Sequence, residues 1–157
     1  RGAVLPTMAT DRRTEMSAGE TDTFLGAHET GVLSLARTDE PYAIPVSYGY
    51  DTSARQFYLR LVSTPESEKR QFLTSDPNAR FVVYEEETDA YRSVVASGAL
   101  VRIDPDELAA EDIQQYGAAQ RPLFEFWADG KEELDIDLYR LDPETVTGRK
   151  IVVSREK

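Results

Sequence analysis

The chain has 157 residues, 40% of them hydrophobic, which suits one packed domain and is too apolar for a disordered tail. Its net charge is −11, with 14 Arg and only 4 Lys among the bases. That opposes binding to nucleic acid or anionic membranes and suggests a cytoplasm with very high salt, where screening makes a dense carboxylate surface tolerable, an ordinary acidic protein being the alternative. There is no cysteine and one histidine, His28, so disulfides, thiolate chemistry and multi-imidazole zinc sites are excluded and no metal centre is expected.

Arg1 to Thr7 precede Met8 and read as an upstream extension, with 1–16 as a flexible lead into one domain over 17–157. No apolar run approaches the roughly 18–20 residues a membrane helix needs, and no signal peptide is visible, so a soluble, cytoplasmic protein is expected. Ser17-Ala18-Gly19-Glu20 is a capping box, and Phe24, Leu25 and His28 follow at helical spacing, predicting a helix over 18–29 that closes near Gly31. His28 then reads as a helix-end or surface histidine. Residues 31–37 read as a strand and Asp39-Glu40-Pro41 as a turn.

The strand from Tyr42 to Tyr50 carries the most information. Tyr42, Ile44, Val46, Tyr48 and Tyr50 make one bulky face, while Ala43, Pro45, Ser47 and Gly49 make a small one. Pro45 lacks a ladder donor, which predicts an edge or a bulge there. Phe57 to Val62 returns as a hairpin partner. Thr64 and Pro65 then suit the N-cap and first residue of a helix with Phe72 and Leu73 on its inner face. Arg80 to Tyr84 and Tyr91 to Ile103 read as strands around a solvated acidic loop, with a bulge at Gly98. Asp104 to Glu107 caps a helix reaching about Tyr116, Pro122 to Gly130 reads as a short helix, and Leu134–Leu141 and Lys150–Val153 as two last strands.

Two features suggest chemistry. A flat ring can approach a backbone only where side chains are small, so the small face of the 42–50 strand could seat an aromatic ligand edge; it could equally pack against a helix or a partner subunit. The helix start at Thr64–Lys69 could take a phosphate through free N–H groups, the Ser67 hydroxyl and the Lys69 charge, with Arg60 and Arg70 near in sequence. An ordinary surface helix with charge pairs explains the same residues.

The block PYAIPVSYGYD, FYLRLVSTPESEKRQFL, DPNARFVVYEE and YRSVVASGAL resembles the pyridoxamine 5′-phosphate oxidase-like, FMN-binding split-barrel family over roughly 18–103, closer to its nitroimidazole-resistance-like and uncharacterised branches. The resemblance implies a mainly β fold, a six-stranded Greek-key split β-barrel with a few peripheral helices. It also implies a homodimer with FMN at the interface, deazaflavin or FAD being the alternatives. Ala43, Ile44, Pro45, Val46, Ser47 and Tyr48 match the stretch along the flavin ring, and Leu59 and Arg60 the end of the next strand. Ser67 and Lys69, with Arg70 beside them, match the phosphate element, Ser93 a flavin-touching Gln, and Trp127 a Trp from the other subunit. Ala43, Tyr48 and Glu68 stand where the oxidases carry Arg, Lys and Arg, so three positive contacts are missing. Arg60 stands where nitroimidazole-resistance-like relatives often carry His, and would act as a fixed positive charge.

The resulting expectation is a flavin-dependent oxidoreductase acting on a small molecule, with a non-catalytic flavin-binding or storage module as the alternative. No catalytic residue is assigned; Tyr48, Tyr58 and Tyr91 are the proton-transfer candidates.

Overall fold

A computed structural model describes residues 11–63, 68–73, 77–108 and 135–153. The expectations that fall on 64–67 and 109–134, Ser67 and Trp127 among them, lie outside the described residues. Among the described residues, seven strands and two helices follow in the order β1 (Asp11–Glu15), α1 (Ala18–Ala27), β2 (Thr30–Arg37), β3 (Glu40–Asp51), β4 (Gln56–Ser63), α2 (Lys69–Phe72), β5 (Asn78–Glu86), β6 (Ala90–Ile103) and β7 (Asp135–Val153), with a 3-10 turn at Pro105–Glu107.

All strand pairing is antiparallel. Neighbours run β7-β4-β3-β2-β5-β6, and β6 pairs back onto β7, so six strands close into a ring as the split-barrel expectation requires. β1, which falls in the stretch expected to be extension, adds outside the ring along Arg149–Val153. The two expected last strands are one. β7 runs 19 residues, meeting β4 over 135–141, β1 at its end and β6 along almost its whole length. It stays continuous past Pro143 because a bulge sits there: Ser97 pairs with Thr145 and Gly98 with Pro143, leaving Glu144 without a partner opposite. Gly98 is required at this point. A Cβ would stand 2.1 Å from the Asp142 carbonyl oxygen and 2.7 Å from Pro143 Cα.

Alternation along each strand fills the ring. Leu33, Leu35, Val46, Tyr48, Phe57, Leu59, Leu61, Phe81, Val83, Val94, Ala96, Leu100, Tyr139 and Leu141 point inward and are buried. Phe57, Phe81 and Tyr48 meet at ring-centroid distances of 5.2–5.7 Å in edge-to-face arrangements. The β2–β3 turn is Thr38-Asp39, one residue earlier than expected, with Thr38 held at φ 57°. Helix α2 is a single turn at Lys69–Phe72, and the helix start expected at Thr64 lies outside the described residues.

Helix α1 has the expected capping box: the Ser17 hydroxyl accepts from Glu20 N–H at 3.1 Å and Glu20 Oε1 accepts from Ser17 N–H at 3.0 Å. It stops at Ala27 rather than 29, because the Glu29 carbonyl accepts from Tyr48 N–H at 3.0 Å and draws the chain into the sheet. Glu20 also pairs with Lys150 of β7. The hydrogen bond to Lys150, helped by the Ser17 backbone, holds its carboxyl at about 2, well below the usual glutamate range.

The two glycine environments give opposite outcomes. In α1, a Cβ at Gly26 meets nothing within 4 Å, so Gly26→Ala is expected to raise stability by about 0.5–1 kcal/mol in urea unfolding. Gly98→Ala is expected to lose about 2–4 kcal/mol, because the backbone of Asp142–Pro143 must move. A third outcome concerns acid. A carboxyl depressed in the folded state contributes stability above its unfolded value and loses it as pH falls. Acid unfolding followed between pH 5 and pH 2 should therefore be shallower in Glu20→Gln than in the parent.

Candidate functional site

The candidate site starts from the hydrogen-bond direction of β3. Tyr48 N–H points to the β2 side, where it meets Glu29. Backbone groups of alternate residues point the same way, so those of Tyr42, Ile44 and Val46 serve β2, and those of Pro41, Ala43, Pro45 and Ser47 point to the opposite flank. On that flank β3 pairs with β4 only from Tyr48 onward, starting at Tyr48↔Leu59. Among the described residues, the stretch 40–47 has no strand partner there. The barrel is split at this point. Both prolines sit where a missing N–H costs no ladder bond, which meets the expectation for Pro45.

The side chains sort by face. Val46 and Leu59 are fully buried, Tyr48 is 2% exposed and Ile44 packs partly on the core, so these four offer a ligand their backbone at most. Ala43 and Pro45 are exposed on the outward face. Ser47, on the same face, is 3% exposed, and among the described residues its hydroxyl has no hydrogen-bond partner. A buried hydroxyl left in this state costs about 1–3 kcal/mol unless something bonds it. One step beyond the Tyr48↔Leu59 pair, the register sets Arg60 across the split from Ser47; Arg60 is half-buried and engaged with other groups. The open flank thus offers Ala43 and Ser47 N–H donors, the Pro41, Ala43 and Pro45 carbonyls as acceptors, one orphan hydroxyl and a guanidinium alongside.

The remaining expected residues spread out. Lys69 and Arg70 belong to α2, which reaches the barrel through Phe72, stacked on Tyr42 at 5.0 Å. Glu68 precedes that turn, and its charge, after burial, helps raise the Tyr42 hydroxyl's pKa, so the element brings negative charge where the oxidases carry Arg. Ser93 lies on the outward face of β6, paired with Tyr84 and Arg149, three strands round the ring from β3. Within one chain it does not meet Ser47.

The tyrosine candidates for proton transfer are placed differently from one another. Tyr48 donates to the Leu25 carbonyl at 2.6 Å, and burial pushes its pKa far up. Tyr58 is 4% exposed and Tyr91 lies on β6, away from the split. A group that sequence reading passed over is the His28 cluster. Nδ1 donates to the Phe24 carbonyl at 2.8 Å, while Nε2 faces Glu85 at 2.9 Å and Arg92 flanks the same carboxylate at 3.7 Å. It walls a groove of about 650 Å³ with Met16 and Phe24. No local signal could have found it, since Glu85 is 57 residues from His28. Its visible role is to tie the end of α1 to β5.

The pyridoxamine 5′-phosphate oxidase family model matches residues 17–150. The chain belongs to that family. No protein of curated function matches the sequence. Among solved structures the fold is similar to an FAD-binding protein from Mesorhizobium loti (23% identity, TM-score 0.65, 90% of this chain and 98% of that one). It is also similar to a candidate 5-nitroimidazole antibiotic resistance protein from Bacteroides thetaiotaomicron (13%, 0.66, 91% and 90%). A third is an FAD and heme binding protein from Mycobacterium smegmatis (14%, 0.62, 92% and 74%). At these identities the likeness concerns the fold. Among the described residues no group of three or more potential ligands could hold a metal ion, and no helix is long and apolar enough to cross a membrane.

Tyr48→Phe removes one hydroxyl and strands the Leu25 carbonyl. It is expected to cost about 1–2 kcal/mol in chemical unfolding, with the fold retained by circular dichroism.

Proposed function

We propose that the open flank of β3 receives the polar edge of a flavin ring, making this a flavin-binding protein. The observation that carries the reading is the buried, unpartnered Ser47 hydroxyl set in a row of free backbone groups. The edge of an isoalloxazine carries alternating donors and acceptors, and small outward side chains at Ala43 and Pro45 leave room for its plane. Membership of the family and the FAD-binding neighbours support a flavin; FMN is the form the family implies and FAD the form those neighbours bind. When bound, the flavin would supply hydride and electron transfer, and the chain's part is to bind, orient and exclude water. Arg60, fixed in charge, would place positive potential beside the ring.

A homodimer belongs to the same reading. Ser93 can serve the ligand only from a second copy, and it shares its face with Tyr84 and Tyr91, 56% and 37% exposed and 6.4 Å apart. That aromatic patch suits an interface. Oxidoreductase activity is the function proposed. The absence of a free acid or base at the described flank favours, as the second reading, a module that holds flavin without turnover.

The test is a titration of the purified protein in molar KCl with FMN, FAD and a deazaflavin, followed by fluorescence quenching. Saturable binding of one of them is expected; no binding of any overturns the proposal. Ser47→Ala should weaken binding about tenfold, near 1.4 kcal/mol, while leaving the apo protein as stable or more so. Bleaching of the bound flavin by NADH or NADPH separates the enzyme from the storage module.

A further inference from the structure

A second groove, of about 410 Å³, lies across β2, β5, β6 and β7. Ser34, Arg80 and Ser97 stand directly opposite one another across three strands, so their side chains form one row. Asn78 lies two residues along on the same face, and Ala36 and Gly98 keep the floor low. The groove's far wall is Glu144, the residue that the bulge leaves without a partner opposite. Bulges commonly re-aim a side chain in this way.

Both charges in this groove are exposed, and among the described residues neither has a partner. Arg80 makes no ion pair or hydrogen bond, in a chain with 29 acidic and 18 basic residues. Glu144 makes none either, so the two stand more than 4.0 Å apart although they line one cavity. The Ser34, Ser97 and Asn78 side chains are also without partners. Among the described residues Arg37 and Arg149 have no partner either, but neither lines this groove.

We propose that this groove is a binding site for a small zwitterion, its carboxylate or phosphate held by Arg80 with Ser34 and Asn78, its protonated amine by Glu144 with Ser97. A simple anion meets Glu144 as a repulsive neighbour, and a simple cation meets Arg80 in the same way. A ligand carrying both charges satisfies both walls. Arg80 and Glu144 sit on strands two apart, roughly 10 Å between backbones, and both side chains can lean inward. That leaves a gap suited to charges separated by a few carbons. The site is separate from the open flank of β3, and its test does not depend on flavin.

The experiment is an amide chemical-shift titration of the full chain with 4-aminobutanoate, read at Ser34, Arg80 and Ser97. Butanoate and butylamine serve as the two half-ligands. Saturable shifts are expected for the zwitterion, with each half-ligand binding at least about tenfold more weakly. Arg80→Ala and Glu144→Gln should each weaken the zwitterion by a similar factor. Arg80→Ala should abolish what butanoate binding there is, and Glu144→Gln should strengthen it. Both residues are solvent-facing, so both variants are expected to fold, checked by their unchanged spectra elsewhere. Absence of saturable shifts, or equal affinity for the zwitterion and its halves, overturns the proposal. So does a double variant that binds as the parent does.

Discussion

Tyr48 is where the sheet changes from closed to split, and the rest of the molecule depends on how it is held. Its ring packs edge-on against Phe57 and Phe81 in the centre of the barrel. Its hydroxyl donates to Leu25 at the end of α1, and its N–H donates to Glu29 at the entry to β2. One residue therefore fixes the helix, the first ring strand and the last β3–β4 pair. Before it, among the described residues, β3 follows β2 alone, and the prolines at 41 and 45 make that separation free of lost donors on the open side. The flank stays open because pairing there is chemically incomplete, while the other flank is fully laddered.

This arrangement was partly legible. The period-2 alternation of Tyr42–Tyr50 and the ladder problem at Pro45 are local signals, and both translate into the observed face and edge. The capping box at Ser17–Glu20 and the bulge at Gly98 were readable for the same reason: each is decided by residues within a few positions. Helix α1 is two residues shorter than its periodicity suggests because a tertiary bond, Glu29 to Tyr48, competes with the last turn. The break expected between 141 and 150 is absent because Pro143 meets a bulge that only the register of β6 against β7 reveals. Single-strand patterns carry no register.

The site was less legible than the fold, for one reason. Small residues on β3 say that something could approach, but burial of Ser47 without a partner depends on neighbours distant in sequence. The same holds for Arg80 and Glu144. Arg80 reads as an ordinary strand-start arginine and Glu144 as one acid among many; their shared groove exists only after β5, β6 and β7 are aligned. His28 is the converse case. A lone histidine draws notice in sequence, yet the structure uses it to join α1 to Glu85 rather than to face the open flank.

The face assignment also changes what the family departures mean. Tyr48 and Ala43 both stand where the oxidases carry a basic residue, but they lie on opposite faces of β3. Tyr48 is inward, and its phenol is a core group that closes the hydrogen-bond account of α1. A lysine there in this chain would bury a charge against Phe57 and Phe81, at a cost no surface contact repays. Ala43 is outward and exposed, so its methyl is the departure that leaves the open flank short of charge. Glu68 deepens that shortage near Tyr42. The flank is thus reshaped from a charge-reading surface into one that offers backbone donors and acceptors and one hydroxyl. Such a surface selects a ligand by the pattern of its edge more than by its net charge.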